Sequence, residues 1–181
     1  MFGPAGEVIG QILGGLVVIT GFVSLQMKTS GKLLLFQIIT SILFTAHYFF
    51  LGAFTAVVLN LICLVQCIVY YFRDKRGSKD LFWPIFFTVA MIIAGIFTYD
   101  GWQSLLITIG LIVLVISLSL PNTQWIRYSM FIKSPFCLSY NLIVFSIGGV
   151  VFECAMLIST IIGTIRYYSD KKKEKTIHVE K

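Results

Sequence analysis

Glu153 stands in an otherwise apolar stretch, with Val150, Val151 and Phe152 before it and Cys154, Ala155, Met156 and Leu157 after it. Inserting an ionisable group at the centre of a membrane helix takes about 2.5–3.5 kcal/mol, so such a group should face protein or water rather than lipid. There its carboxylate can accept hydrogen bonds from solute hydroxyls or carry a coupling proton. His47 is a second candidate proton carrier, since imidazole is the side chain that changes charge near neutral pH. Asn60 and Asn141 add amides that both donate and accept. In a helical reading these four fall in one layer, in the outer half of a membrane. Lys133 lies about two turns into its helix from the inner side, two residues before Pro135. Proline removes a backbone donor and kinks a helix, and freed carbonyls near a kink can line a cavity. Snorkelling to the inner headgroups is the simpler fate for a long lysine side chain.

Each of these residues also has a structural reading. Polar groups in membrane bundles join helices through hydrogen bonds, and Asn60 with Asn141, or His47 with Glu153, would do so. Gln37, Gln66 and Ser159 are weaker candidates of the same kind. Cys63, Cys67, Cys137 and Cys154 sit in apolar runs and read as packing residues. They form no CxxC spacing, so no metal and no cofactor is expected. HExxH, GxSxG and a Ser-His-Asp set are absent, and one of the two histidines, His178, lies in the C-terminal tail. An enzyme is therefore not expected.

The elements that must position these groups are apolar helices. Hydrophobic residues make up 57% of the 181 and charged residues 12%, with mean hydropathy +0.91. A soluble domain carries about 25% charged residues. The surface implied here faces lipid. The first fifteen residues hold Glu7 and no Lys or Arg, so the first apolar stretch is expected to be a span rather than a cleaved signal.

Spans of about 20 apolar residues fall at roughly 8–26, 33–51, 53–72, 82–98, 104–120, 126–146 and 148–168. Tight turns are expected at Leu51-Gly52-Ala53, Tyr99-Asp100-Gly101 and Ile147-Gly148-Gly149. Gly10, Gly14 and Gly15 suit close helix approach. Trp83, Trp102, Trp125, Tyr48, Tyr99, Tyr167 and Tyr168 read as rings at the membrane interfaces. With the N-terminus outside, all 14 basic residues fall on or near the cytoplasmic side, as the positive-inside rule requires. They are Lys28, Lys32, Arg73, Lys75, Arg76, Lys79, Arg127, Lys133, Arg166, Lys171, Lys172, Lys173, Lys175 and Lys181. The net charge of +6 then sets orientation and meets anionic lipid headgroups. Nucleic acid is not an expected partner.

A shift of 93 residues pairs Ser24-Leu25 with Ser117-Leu118, Ser41 with Ser134, Asn60 with Glu153, Arg73 with Arg166 and His47 with Tyr140. The expected fold is thus an all-α membrane protein with seven transmembrane helices, two parallel three-helix repeats joined by one inversion-linker helix. The first repeat would cover 1–73, the basic loop and linker helix 74–100, the second repeat 101–168 and a basic cytoplasmic tail 169–181.

Ala46-His47-Tyr48-Phe49-Phe50-Leu51-Gly52 with Leu59-Asn60, and Ser146-Ile147-Gly148-Gly149 with Glu153 and Ile165-Arg166, resemble the YgjV family of bacterial inner-membrane proteins. The resemblance runs nearly the length of the chain and implies a bacterial plasma membrane. More distantly, the helix plan resembles SWEET and PnuC-type transporters, whose plan is of parallel repeats; Ser24-Leu25-Gln26 and Ser117 to Pro121 only echo the proline-glutamine motif of the PQ-loop kind.

The expected function is a transporter or facilitator of a small polar solute, through a cavity between the repeats bordered by Glu153, Asn60, His47, Asn141 and Lys133. The competing reading is a membrane scaffold or assembly partner without transport. A homo-oligomer is compatible with either.

Overall fold

The computed structural model describes residues 3–27, 30–77, 80–120 and 123–179. Among them seven α-helices follow in order: α1 (Gly3–Gln26), α2 (Ser30–Leu51), α3 (Phe54–Lys75), α4 (Phe82–Phe97), α5 (Gln103–Leu118), α6 (Thr123–Ile143) and α7 (Ile147–Val179). The helices α1, α2 and α3 pack in succession, as do α5, α6 and α7. α4 lies against α3 and α5, and α1 packs on α7, joining the first helix to the last.

The bundle buries polar side chains within its core and exposes large apolar ones on its surface. Ile12, Ile42, Val65, Phe86, Ile109, Ile132 and Ile158, one from each helix, are exposed. Gln37, His47, Asn60, Gln66, Lys133, Asn141 and Glu153 are buried. Water would reward the opposite distribution; hydrocarbon rewards this one, because a polar side chain inside the bundle can find protein partners that lipid cannot offer.

Helix length corrects the expected plan. Among the described residues, three helices, Gly6–Ser24, Gly31–Leu51 and Phe54–Lys75, are long and apolar enough to cross a membrane. Phe82–Phe97, Gln103–Leu118 and Ile147–Ile162 are apolar but shorter. At 1.5 Å per residue the 16 residues of α4 or α5 reach about 24 Å, short of the roughly 30 Å hydrocarbon core. α6 has the length, but Gln124, Arg127, Lys133 and Asn141 punctuate it. Seven transmembrane helices in two parallel repeats around an inversion linker are therefore not what this fold supports. It is a seven-helix bundle, among the described residues, with three helices of spanning length.

Two expected turns form at glycines in the left-handed region. Gly52 has φ +72° and Gly101 φ +90°. At the first, the Gly52 and Ala53 amides donate to the Phe49 and Tyr48 carbonyls at 3.1 and 3.0 Å, a cap that closes α2. The third turn falls earlier than expected. It is made by Val144, Phe145 and Ser146, with Phe145 at φ 52°. Gly148 and Gly149 belong to α7 and serve packing. A Cβ on Gly148 would lie 2.4 Å from the Gly14 Cα, and one on Gly14 would lie 2.8 Å from the Gly148 Cα and 3.0 Å from His47 Cε1. Backbone therefore meets backbone where α1 crosses α7.

Apart from Lys133, the described basic side chains gather at one end of the bundle. Lys32 opens α2, and Arg73, Lys75 and Arg76 close α3. Arg73 donates from Nη1 to the Asp80 carbonyl at 3.2 Å and from Nη2 to the Ser119 carbonyl at 3.0 Å, with its guanidinium 4.5 Å from the Tyr70 ring centre. Lys28, Lys79 and Lys181 lie outside the described residues, as do the side chains of Arg127, Arg166, Tyr168 and the tail lysines from 171 to 175.

Because neither backbone can retreat, Gly148→Val should destabilise the protein by about 1–3 kcal/mol through overpacking. Gly15→Ala, at a position whose Cβ would meet nothing within 4 Å, should leave the melting temperature in detergent unchanged or slightly raised. Thermal unfolding of the two variants beside the parent checks this.

Candidate functional site

Lys133 on α6 and Glu153 on α7 meet inside the bundle. The Lys133 Nζ donates to Glu153 Oε1 at 2.5 Å, and the two side chains are 5% and 3% exposed. The lysine does not snorkel: its ammonium stays beside the carboxylate and 5.4 Å from the centre of the Phe152 ring. The attraction of an opposite charge in a poorly screening interior outweighs the reach to the headgroups. The other carboxylate oxygen, Glu153 Oε2, is buried without a hydrogen-bond partner.

That pair borders a central cavity. Its wall takes Gln37, Thr40, Ser41 and Tyr48 from α2, Asn60 from α3, and apolar residues of α5 including Ile107 and Leu111, besides Lys133 and Glu153. Phe44 and Phe152 close one side, with ring centres 4.9 Å apart and edge to face. The cavity volume is about 30 Å³. A water molecule needs roughly 10–15 Å³ of such space, so the cavity has room for about two waters.

The sequence candidates divide between cavity and helix joint. Asn60, Lys133 and Glu153 line the cavity. Asn60 also donates from Nδ2 to the Ala56 carbonyl of its own helix at 2.8 Å, not to Asn141. His47 joins three helices instead of meeting Glu153. Its Nδ1 lies 2.6 Å from the Gly10 carbonyl and its Nε2 2.6 Å from Ser146 Oγ. A carbonyl only accepts, so Nδ1 carries the proton. In the neutral ring Nε2 then accepts from the Ser146 hydroxyl, whose oxygen accepts the Gly149 amide at 3.1 Å. The chain of donors closes with every member used, tying α1 and α2 to the start of α7. Asn141 accepts the Tyr48 hydroxyl at 2.6 Å through Oδ1.

Tyr48 is the residue sequence reasoning placed wrongly. It is 2% exposed, not an interfacial ring, and it stands between two spaces. One is the central cavity. The other is a pocket of about 240 Å³ rimmed by Gly52, Phe54, Asp100 and Phe145 and floored by Thr55, Ser104 and Tyr140. Its rim is exposed at Phe54, Asp100 and Phe145. Tyr140 contacts Tyr48 edge to face, with ring centres 6.2 Å apart. The Tyr48–Tyr140 contact thus lies between the two spaces. Thr55 donates to the Thr98 carbonyl at 2.5 Å and lies 3.2 Å from Ser104 Oγ, which holds the floor to the α4–α5 turn. The 93-residue shift that pairs His47 with Tyr140 also pairs Tyr48 with Asn141, its hydrogen-bond partner, and that was the signal available in the sequence.

Cys63 and Cys137 line the cavity, Cys67 is buried, and Cys154 is exposed rather than packed. Gln66 donates to the Val115 carbonyl at 3.0 Å, joining α3 to α5.

The model of the YgjV family, described as bacterial inner membrane protein, matches residues 8–171. The chain belongs to this family. It is therefore an inner-membrane protein with several apolar helices, embedded in lipid. No curated protein and no solved structure matches it.

Removing one member of a buried ion pair leaves the other charge stranded, at a cost of about 3–5 kcal/mol. Lys133→Met and Glu153→Gln should each lower thermal stability by that order. The double variant should recover most of the loss, because no lone charge remains. A double-mutant cycle by thermal unfolding in detergent checks both statements.

Proposed function

We propose that this inner-membrane protein is a transporter or facilitator of a small polar solute, which passes through the central cavity beside Lys133 and Glu153. The observation that carries the reading is the charged, buried cavity set one tyrosine pair away from an open pocket. A protein that only scaffolds others has no need of an ion pair within its bundle, since apolar packing of the same volume is as stable or more so. Solute entry would require the Tyr48 and Tyr140 rings to part and the cavity to widen beyond room for about two waters. Asn141, which holds the Tyr48 hydroxyl, is then the latch of the closed state.

The same reading orients the chain. Lys32, Arg73, Lys75 and Arg76 mark the cytoplasmic end, and Glu7 with the Asp100 turn marks the outer one. The N-terminus is outside and the basic tail inside, so the open pocket faces outward. The alternative, a scaffold or assembly partner, keeps the cavity closed to both sides.

The native thiols discriminate the two. In a background with Cys67 and Cys154 replaced by Ser, a membrane-impermeant methanethiosulfonate should modify Cys63 and Cys137 from each face of oriented vesicles. Tyr140→Ala should speed modification from the outer face by about tenfold, as a shift of roughly 1.4 kcal/mol toward the open state would, and leave the inner-face rate unchanged. Thiols inert from both faces in parent and variant alike would favour the scaffold.

A further inference from the structure

We infer that the central cavity selects solutes without net charge that donate a hydrogen bond to Glu153 Oε2 while the Lys133–Glu153 pair stays closed. The inference rests on the transport reading above and adds the solute class to it.

The charge balance of the site is the first ground. Among the cavity-lining side chains Lys133 and Glu153 are the only ionised pair, and they neutralise each other at 2.5 Å. The rest of the polar lining, Gln37, Thr40, Ser41, Tyr48 and Asn60, is uncharged. An anion entering this space would draw Lys133 away from Glu153 and leave the carboxylate alone. A cation would do the same to the ammonium. In either case one charge ends buried without a partner, which is the costly arrangement for an ion in a poorly polarisable interior. A neutral solute leaves the pair intact.

The second ground is the unmet acceptor. Glu153 is 2% exposed and lines the cavity, yet its Oε2 has no partner. A buried carboxylate oxygen left unpaired forfeits the strength of a charge-assisted hydrogen bond. A hydroxyl or amide N–H from a solute supplies that bond without displacing Lys133. Amide and hydroxyl groups of Gln37, Ser41 and Asn60 can meet the remaining polar atoms of such a molecule. The apolar side formed by Phe44, Phe152, Ile107 and Leu111 suits its carbon skeleton. Together these ask for a small polyol or amide-like molecule.

The test is osmotic swelling of proteoliposomes by stopped-flow light scattering, with erythritol and urea as neutral probes, methanesulfonate as a fixed anion and choline as a fixed cation. Erythritol or urea should enter faster than into protein-free liposomes, and neither fixed charge should. Glu153→Gln, which leaves Lys133 unpaired, should raise methanesulfonate entry by about tenfold over the parent. Entry of methanesulfonate or choline through the parent at the rate of the neutral probes, or above it, overturns the inference while leaving transport standing. No probe entering faster than into protein-free liposomes overturns the transport reading and the inference with it.

Discussion

A lysine and a glutamate held 2.5 Å apart inside an apolar bundle set the terms for the helices around them. Neither charge is tolerable alone at that depth, so α6 and α7 must present them to each other in one register. Phe152, the residue before Glu153, turns its ring toward the ammonium and toward Phe44 of α2, which extends the constraint to a third helix. The cavity beside the pair is lined by polar and apolar side chains together.

The other fixed points hold α7 where the pair needs it. Gly14 and Gly148 let α1 and α7 touch through their backbones. Ser146, His47 and the Gly10 carbonyl pin the first turn of α7 to α1 and α2. Glu153 follows two turns later on the same helix. That register is set by glycine contact and by a fully used donor chain, and the Tyr48 and Tyr140 rings meet edge to face, with the Tyr48 hydroxyl on Asn141 and Tyr140 hydrogen-bonded to the Ala56 backbone.

Much of this was legible from residue types. The cost of polar groups in hydrocarbon singled out Glu153, Asn60, His47, Asn141 and Lys133, and all five are buried. Gly52 and Gly101 marked their turns because only a residue without Cβ adopts those angles freely. What failed has physical causes. Phe145 takes a left-handed turn without glycine, so the α6–α7 joint left no compositional mark, and the nearby Gly148 and Gly149 drew the boundary to themselves. Hydropathy read 82–98 and 104–120 as spans, but the helices there, Phe82–Phe97 and Gln103–Leu118, lack the length that apolarity alone does not supply. Pairing was the least legible property. Lys133 was placed near the inner side and Glu153 nearer the outer, and only packing of α6 on α7 brings them within one hydrogen bond.

Solid-state NMR of the uniformly labelled protein in lipid bilayers measures that pairing directly, through a through-space correlation between the Lys133 side-chain nitrogen and the Glu153 carboxyl carbon. The account predicts a strong correlation at hydrogen-bond distance, with no contact between the Lys133 ammonium and lipid phosphate. A missing correlation together with a Lys133-to-phosphate contact would contradict it, since the lysine would then reach the headgroups and the cavity would hold a lone carboxylate.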